Sequence, residues 1–126
     1  MTALTLTPTQ IAFRQRVEDA LRSGRYRQGR TRMRLPDGRM CFWGVVCDVY
    51  DPTRWVDTRR DGIAYSEGNW VMFASPPRDV LFALGEPCFV DFANLNDEGA
   101  TFDELADTLM LDTLMRTDET QCVATS

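Results

Sequence analysis

The sequence contains no histidine and no lysine, so all 14 basic residues are arginine. Without lysine there is no Schiff-base nucleophile and no phosphate-loop lysine. Without histidine there is no imidazole general base and no imidazole metal ligand. Proton transfer would fall to aspartate, glutamate, cysteine or tyrosine. We therefore expect no catalytic residue set, no cofactor and no metal, and we favour a binding protein over an enzyme.

Long apolar runs are also missing. No stretch approaches the ~20 apolar residues of a membrane-spanning helix. Residues 1–6 lack the basic and long apolar regions of a signal peptide. We therefore expect a cytoplasmic protein without a membrane partner.

The cysteines are few and scattered. Cys41, Cys47, Cys88 and Cys122 form no Cys-x-x-Cys pair. Cys41 and Cys47 would lie ~9 Å apart along a helix or ~20 Å apart along a strand. Both spacings exceed the ~7 Å limit between the Cα atoms of a disulfide. Buried, reduced thiols are expected, rather than disulfides or a zinc site.

Charge is divided along the chain. Residues 1–39 carry nine arginines against three acids, whereas residues 86–126 carry ten acids against one arginine, and the net charge is −5. A duplex-DNA binder is usually net basic, so we expect none here. The two ends could attract each other within the fold, bind a partner, or join two copies in a homodimer.

Length and composition predict a single domain. The chain has 126 residues, of which 44% are hydrophobic, enough for a modest core. We expect a globular domain over residues 1–116 and a flexible tail over residues 117–126.

Helix signals occur at three places. Residues 7–10 form a capping box with proline at the first helical position, and Gly24 is a suitable stop. Residues 75–77 begin a short helix that ends at Gly85. A third helix runs from Phe102 to about Met115.

Strand signals are weaker. Residues 30–35 alternate with period two, which predicts a strand with three arginines on one face. Residues 63–65 and 70–73 predict a hairpin, and residues 89–92 a short strand. The ten residues 53–62 are interpreted as an exposed loop. Segment 40–50 fits a strand or a helix, and periodicity does not decide between them. The expected class is α+β, with three to four helices packed on a small antiparallel sheet.

Residues 95–107 carry the most complete local signal. Asn96, Asp97 and Gly99 are turn residues, and Thr101 with Glu104 forms a capping box. A calcium loop starting at Asn94 would place Gly99 correctly at position 6. It would also place Leu105 at position 12, where the bidentate glutamate is required, so calcium is excluded.

Four segments in order resemble one family: residues 23–29, 35–48, 77–85 and 95–107. They are similar to small uncharacterised proteins of bacteriophages, prophages and actinobacteria. Members tend to show Gly-x-Tyr-x-Gln-Gly, a Cys-Leu-Gly-Val-Leu-Cys-like box, and Leu-Asn-Asp-x-Gly-x-Ser/Thr-Phe-x-x-Ile-Ala-Asp. Here Phe42-Trp43 stands where a Cys-Leu pair is usual. The resemblance implies a phage or mobile-element context in a bacterial host and favours a helix at 41–50, and it implies no activity.

The first functional hypothesis is a phage-type accessory protein that binds and modulates a host protein, for instance as an inhibitor of host defence. Arginine, tryptophan and tyrosine anchor protein interfaces best. The expected partner-binding residues lie in or beside predicted loops: Arg54, Trp55, Arg59, Arg60, Tyr65 and Trp70.

Two alternatives remain open. Arginine matches phosphate geometry, so a nucleotide or other phosphate-bearing ligand could bind the Arg-rich region. Its candidate residues are Arg25, Arg27, Arg30, Arg32 and Arg34. The third hypothesis is a carboxylate-based enzyme with Asp103 and Asp107 on one helix face and Asp97 and Glu98 beside them. Helix-start charges explain those acids equally well.

Overall fold

The computed structural model describes residues 5–117, which form five helices and one three-stranded sheet. The helices are α1 (Pro8–Arg22), α2 (Phe42–Tyr50), α3 (Arg78–Leu84), α4 (Val90–Asp97) and α5 (Phe102–Arg116). The strands are β1 (Trp55–Asp57), β2 (Ile63–Glu67) and β3 (Trp70–Met72). The class is a small single-domain α+β fold, as expected, with one helix more than the upper number expected. The predicted tail lies outside the described residues, apart from Thr117.

The two capping boxes are confirmed. In α1 the Thr7 side chain accepts from the Gln10 N–H, and the Gln10 side chain accepts from the Thr7 N–H. In α5 Thr101 and Glu104 make the same reciprocal pair. Both helix starts are therefore marked by contacts between residues only three positions apart.

The predicted strand over residues 30–35 is wrong. Within the described chain this region is irregular, with Thr31 at a φ of 68° and isolated bridges from Gln28 and Arg34 to Met40. The Met33 N–H donates to the carbonyl of Phe73, the residue after β3, and this bond adds no strand to the sheet. The arginines of this region therefore share no strand face.

Segment 40–50 forms helix α2 from Phe42 onward, and this helix lies in the core. Residues 42–47 of α2 are all buried. Gly44 is required there, because a methyl group at this position would overlap the Met33 carbonyl. The Phe42 N–H at the start of α2 donates to the Asn96 side chain of α4 at 3.1 Å, so a distant residue caps the helix.

The sheet is antiparallel in the order β1-β2-β3. The predicted hairpin is confirmed, with Glu67 opposite Trp70 and Tyr65 opposite Met72. The loop predicted over residues 53–62 is partly wrong, because Trp55 pairs opposite Tyr65 and so begins a strand.

The strand predicted over residues 89–92 is also wrong, because Phe89 is the N-cap of α4 and residues 90–92 form its first turn. Phe92 stacks on Phe42 of α2 with ring centroids 4.3 Å apart. Asn96 is fully buried in α4, where it accepts from Gln28 and donates to the Gly29 carbonyl. These long-range contacts stabilise α4, whose own short sequence gives only a weak indication of a helix.

Opposite charges from the two ends of the chain meet at the end of α3. Arg14 of α1 is 1% exposed and contacts Glu86 at 2.9 Å and Asp112 of α5 at 2.8 Å. Arg116 contacts the same two carboxylates. Arg14 and Arg116 also donate to the Leu84 and Gly85 carbonyls, which lack helical partners at this terminus. Part of the basic charge of the N-terminal region is therefore neutralised by acidic residues of the C-terminal region within the fold.

None of the helices formed by residues 5–117 has both the length and the apolar character needed to span a membrane.

Candidate functional site

Three of the predicted partner-binding residues are engaged inside the molecule. Tyr65 is fully buried, and its hydroxyl donates to the Cys47 and Asp51 carbonyls. Arg54 covers the Tyr65 ring, with its guanidinium carbon 4.7 Å from the ring centroid, and contacts Asp79 at 2.9 Å. Trp55 is half-buried and packs edge-on against Tyr65. Tyr65 is not available to a partner, which corrects that expectation.

The other three are exposed but separated. Arg59 and Arg60 lie in the loop between β1 and β2, and Trp70, which is 75% exposed, begins β3. The loop is at one end of β2 and Trp70 is opposite Glu67 at the other end, a separation of ~15 Å. The structure therefore does not bring the six predicted residues into one surface patch.

The arginines of the predicted phosphate site point to different parts of the fold. Arg27 donates to the Asp37 carbonyl, Arg32 donates to the Asp61 carbonyl, and Arg30 approaches Gly99. Arg25, Arg30 and Arg34 have no ion-pair partner among residues 5–117, and the Arg25 guanidinium lies against the Tyr26 side chain. These three arginines keep guanidinium groups available to an anion, whereas Arg27 and Arg32 are each held by a backbone carbonyl.

Arg25 and Arg34 flank a polar cluster around Asp48. The Asp48 carboxylate accepts from the Tyr26 hydroxyl at 2.6 Å and from the Trp55 indole N–H at 3.0 Å. Arg25 lies over the Tyr26 ring and Arg34 over the Trp55 ring. Burial and the hydrogen bond to Asp48 raise the pKa of Tyr26 to about 12, so this hydroxyl is a donor at neutral pH.

Two of the four carboxylates considered for catalysis, Asp97 and Asp107, have structural contacts. Asp107 forms an exposed ion pair with Arg22 at 2.7 Å, and Asp97 accepts from the Thr31 N–H. Asp103 and Glu98 make no side-chain hydrogen bond or ion pair within residues 5–117. Within residues 5–117 no group of three or more cysteine or acidic side chains is placed to hold a metal ion.

The described cysteines are free thiols. Cys41 and Cys47 are buried, as expected, and burial raises the pKa of both, which disfavours thiolate chemistry. Cys88 is exposed, contrary to expectation. Cys122 lies outside the described residues.

The outward face of α5 is the largest feature that sequence reasoning missed. Leu111, Leu114 and Met115 are 61, 64 and 79% exposed, on the side of the helix opposite buried Phe102, Leu105 and Leu109. Their spacing of i, i+3 and i+4 forms a second apolar stripe. One turn earlier the same face carries the exposed acids Asp103, Glu104 and Asp107. The second stripe is visible in the sequence, but its exposure is evident only once the core face is known.

A family model described as "Domain of unknown function (DUF8296)" matches residues 10–80, more than half of the chain. The chain belongs to the DUF8296 family. No curated protein and no solved structure matches it.

The DUF8296 match covers most of α1, all of α2 and the whole sheet, and it ends within α3. It therefore includes Tyr26, Asp48 and Trp55, whereas the outward face of α5 lies beyond the matched residues. The family description assigns no activity, so function must be argued from the surface of this chain.

Proposed function

We propose that this DUF8296 member is a small phage-type accessory protein that binds and modulates a protein of its bacterial host, with inhibition of host defence as its role. The resemblance to phage and prophage proteins supports the host context. The observation that carries the binding function is the apolar second half of the α5 outward face, formed by Leu111, Leu114 and Met115.

Burial of these side chains by a partner would be favourable. Covering a leucine or methionine side chain contributes about 1.5–3 kcal/mol. The three lie together on two turns of one helix, and a contiguous apolar patch on a small protein typically marks an interaction site. Phe82 is similarly exposed, at 73%, but it lies on α3 and provides a matched control for exposure alone.

A photo-crosslinking amino acid placed at Leu114 tests this function in bacterial cells that produce the protein. We expect a discrete adduct with a host protein, absent when the same amino acid replaces Phe82 and lost when Leu111→Ser is added. Identical adducts from positions 114 and 82 would refute docking at α5. A crosslink between two copies of the chain would instead indicate that this face forms a homodimer, and it would refute a host partner there.

Anion binding at the Asp48 cluster is a second candidate, favoured by the guanidinium groups of Arg25 and Arg34, which lie over Tyr26 and Trp55 and have no ion-pair partner among the described residues. The Nε of Arg34 is buried without a hydrogen-bond partner among the described residues. We expect pyrophosphate to raise the melting temperature of the wild-type protein and not of an Arg25→Gln/Arg34→Gln variant. An equal shift for both proteins would eliminate this site.

A further inference from the structure

The outward face of α5 changes character half-way along the helix. Its first two turns present Asp103, Glu104 and Asp107, and its last two turns present the apolar half defined above. We propose, on the basis of the proposed function, that the host partner docks a basic amphipathic helix antiparallel to α5. Its apolar residues would cover Leu111 and Leu114, and its arginines or lysines would face the acids.

The spacing along α5 suits a helical partner. Glu104, Asp107, Leu111 and Leu114 are separated by three, four and three residues, which is the a/d repeat of a helix–helix seam. The four positions extend over ~15 Å of helix. Asp103 has no polar side-chain partner among residues 5–117, and Asp107 keeps most of its side chain in solvent beside Arg22. A negative field therefore remains at this end of the face.

The antiparallel orientation follows from the helix dipoles. Acids are favourable at the N-terminus of α5, and basic residues are favourable at the C-terminus of a partner helix. In the antiparallel arrangement these two termini are adjacent, and the partner's N-terminal half covers the apolar end of α5.

Two other occupants fit the face less well. If the α5 helices of two copies packed together, each would place acidic side chains against the other with no basic residue to pair with them. The only basic residue of α5 is Arg116, which is buried against Glu86 and Asp112. An anionic lipid surface requires basic residues on the polar part of an amphipathic helix, and the outward face carries none.

Two synthetic helical peptides of about 20 residues, long enough to form a helix, test the partner chemistry. Both carry leucine at the a and d positions of the N-terminal half. In the C-terminal half one carries arginine at these positions and the other glutamate. Binding is measured by fluorescence anisotropy against the wild-type protein and against an Asp103→Arg/Asp107→Arg variant whose fold is verified by circular dichroism.

We expect the arginine peptide to bind the wild-type protein about tenfold more tightly than the glutamate peptide, and the preference to reverse with the charge-reversed variant. Leu111→Ser/Leu114→Ser should weaken the favoured peptide by about a hundredfold. Phe82→Ser should leave both affinities unchanged.

Each other outcome overturns the proposal in a distinct way. Arginine-peptide binding that survives loss of both leucines would be general attraction to an acidic protein. Equal binding of the two peptides would leave apolar docking but refute a basic partner, and failure of both peptides to bind would refute a helical one. The crosslink at Leu114 reports separately on whether any host protein docks there.

Discussion

Replacing Arg14 by methionine is expected to destabilise the protein by about 3 kcal/mol, the lower end of the cost of breaking a buried ion pair. Arg14 makes four hydrogen bonds, to the Leu84 carbonyl, Glu86, Asp112 and Thr113. Methionine fills the volume of the side chain but donates to none of these groups. Arg116 still contacts both carboxylates in the variant, so the cost should not reach the upper end.

The effect should depend on pH in a defined direction. Burial raises the pKa of Glu86 above 4.5, and Arg14 acts to lower it. Without Arg14 the folded-state pKa rises further. When the pKa of a carboxyl group is higher in the folded state than in the unfolded state, protonation stabilises the folded protein. This stability is fully present at a pH below the unfolded-state pKa, and it is lost as the pH rises through the folded-state pKa. The difference in the free energy of unfolding between the wild type and the Arg14→Met variant should therefore become smaller as the pH falls from 7 towards 4.5.

Urea unfolding followed by tryptophan fluorescence at pH 7 and pH 5 measures the loss of stability and its dependence on pH. Arg22→Met is the matched control, because its ion pairs with Glu18 and Asp107 are at the surface and should contribute little to stability. Adding Glu86→Gln to Arg14→Met should recover part of the loss. Equal effects of the Arg14 and Arg22 changes, or a gap that widens on acidification, would refute the reasoning.

Three further changes test the fold and the Asp48 cluster. Asn96→Ala should cost about 3 kcal/mol through three lost buried hydrogen bonds and speed amide exchange near Gly29, whereas exposed Asn94→Ala should do neither. Gly44→Ala should cost at least about 1–3 kcal/mol by overlap with the backbone; an unchanged melting curve would contradict the close packing of α2. Asp48→Asn should lower the pKa of Tyr26 from about 12, as followed by ultraviolet titration; an unchanged value would mean that burial alone sets it.

The elements that could be predicted are those whose signals are local. Both capping boxes lie within four residues, and the hairpin turn lies between two short strands, so sequence alone locates them. α4 could not be found in this way, because its stability depends on Phe92 stacking against a helix about 50 residues away and on the buried amide of Asn96. Asn96, interpreted from sequence as a turn residue, joins three segments of the fold.

The candidate site shows the same limit. Arg54, Trp55 and Tyr65 are residue types that anchor interfaces, but the pairing of β1 with β2 turns them towards each other and the core. Residue type does not distinguish an interface anchor from an internal cation–π contact. The exposed leucines of α5 show the converse. Apolar residues on a helix are expected in the core, and only the structure shows that α5 has a second apolar stripe that faces solvent.

The division of charge along the chain has two different explanations in the fold. The acids nearest the core, Glu86 and Asp112, neutralise Arg14 and Arg116 where α1, α3 and α5 meet, so their distant sequence positions reflect chain topology. Asp103 has no such partner among the described residues, and Asp107 on the same face of α5 pairs with Arg22 at the surface. An acidic surface kept beside exposed leucines adds nothing to the core. It would repel acidic partners and attract basic ones, which is the physical basis of the partner proposed for that face.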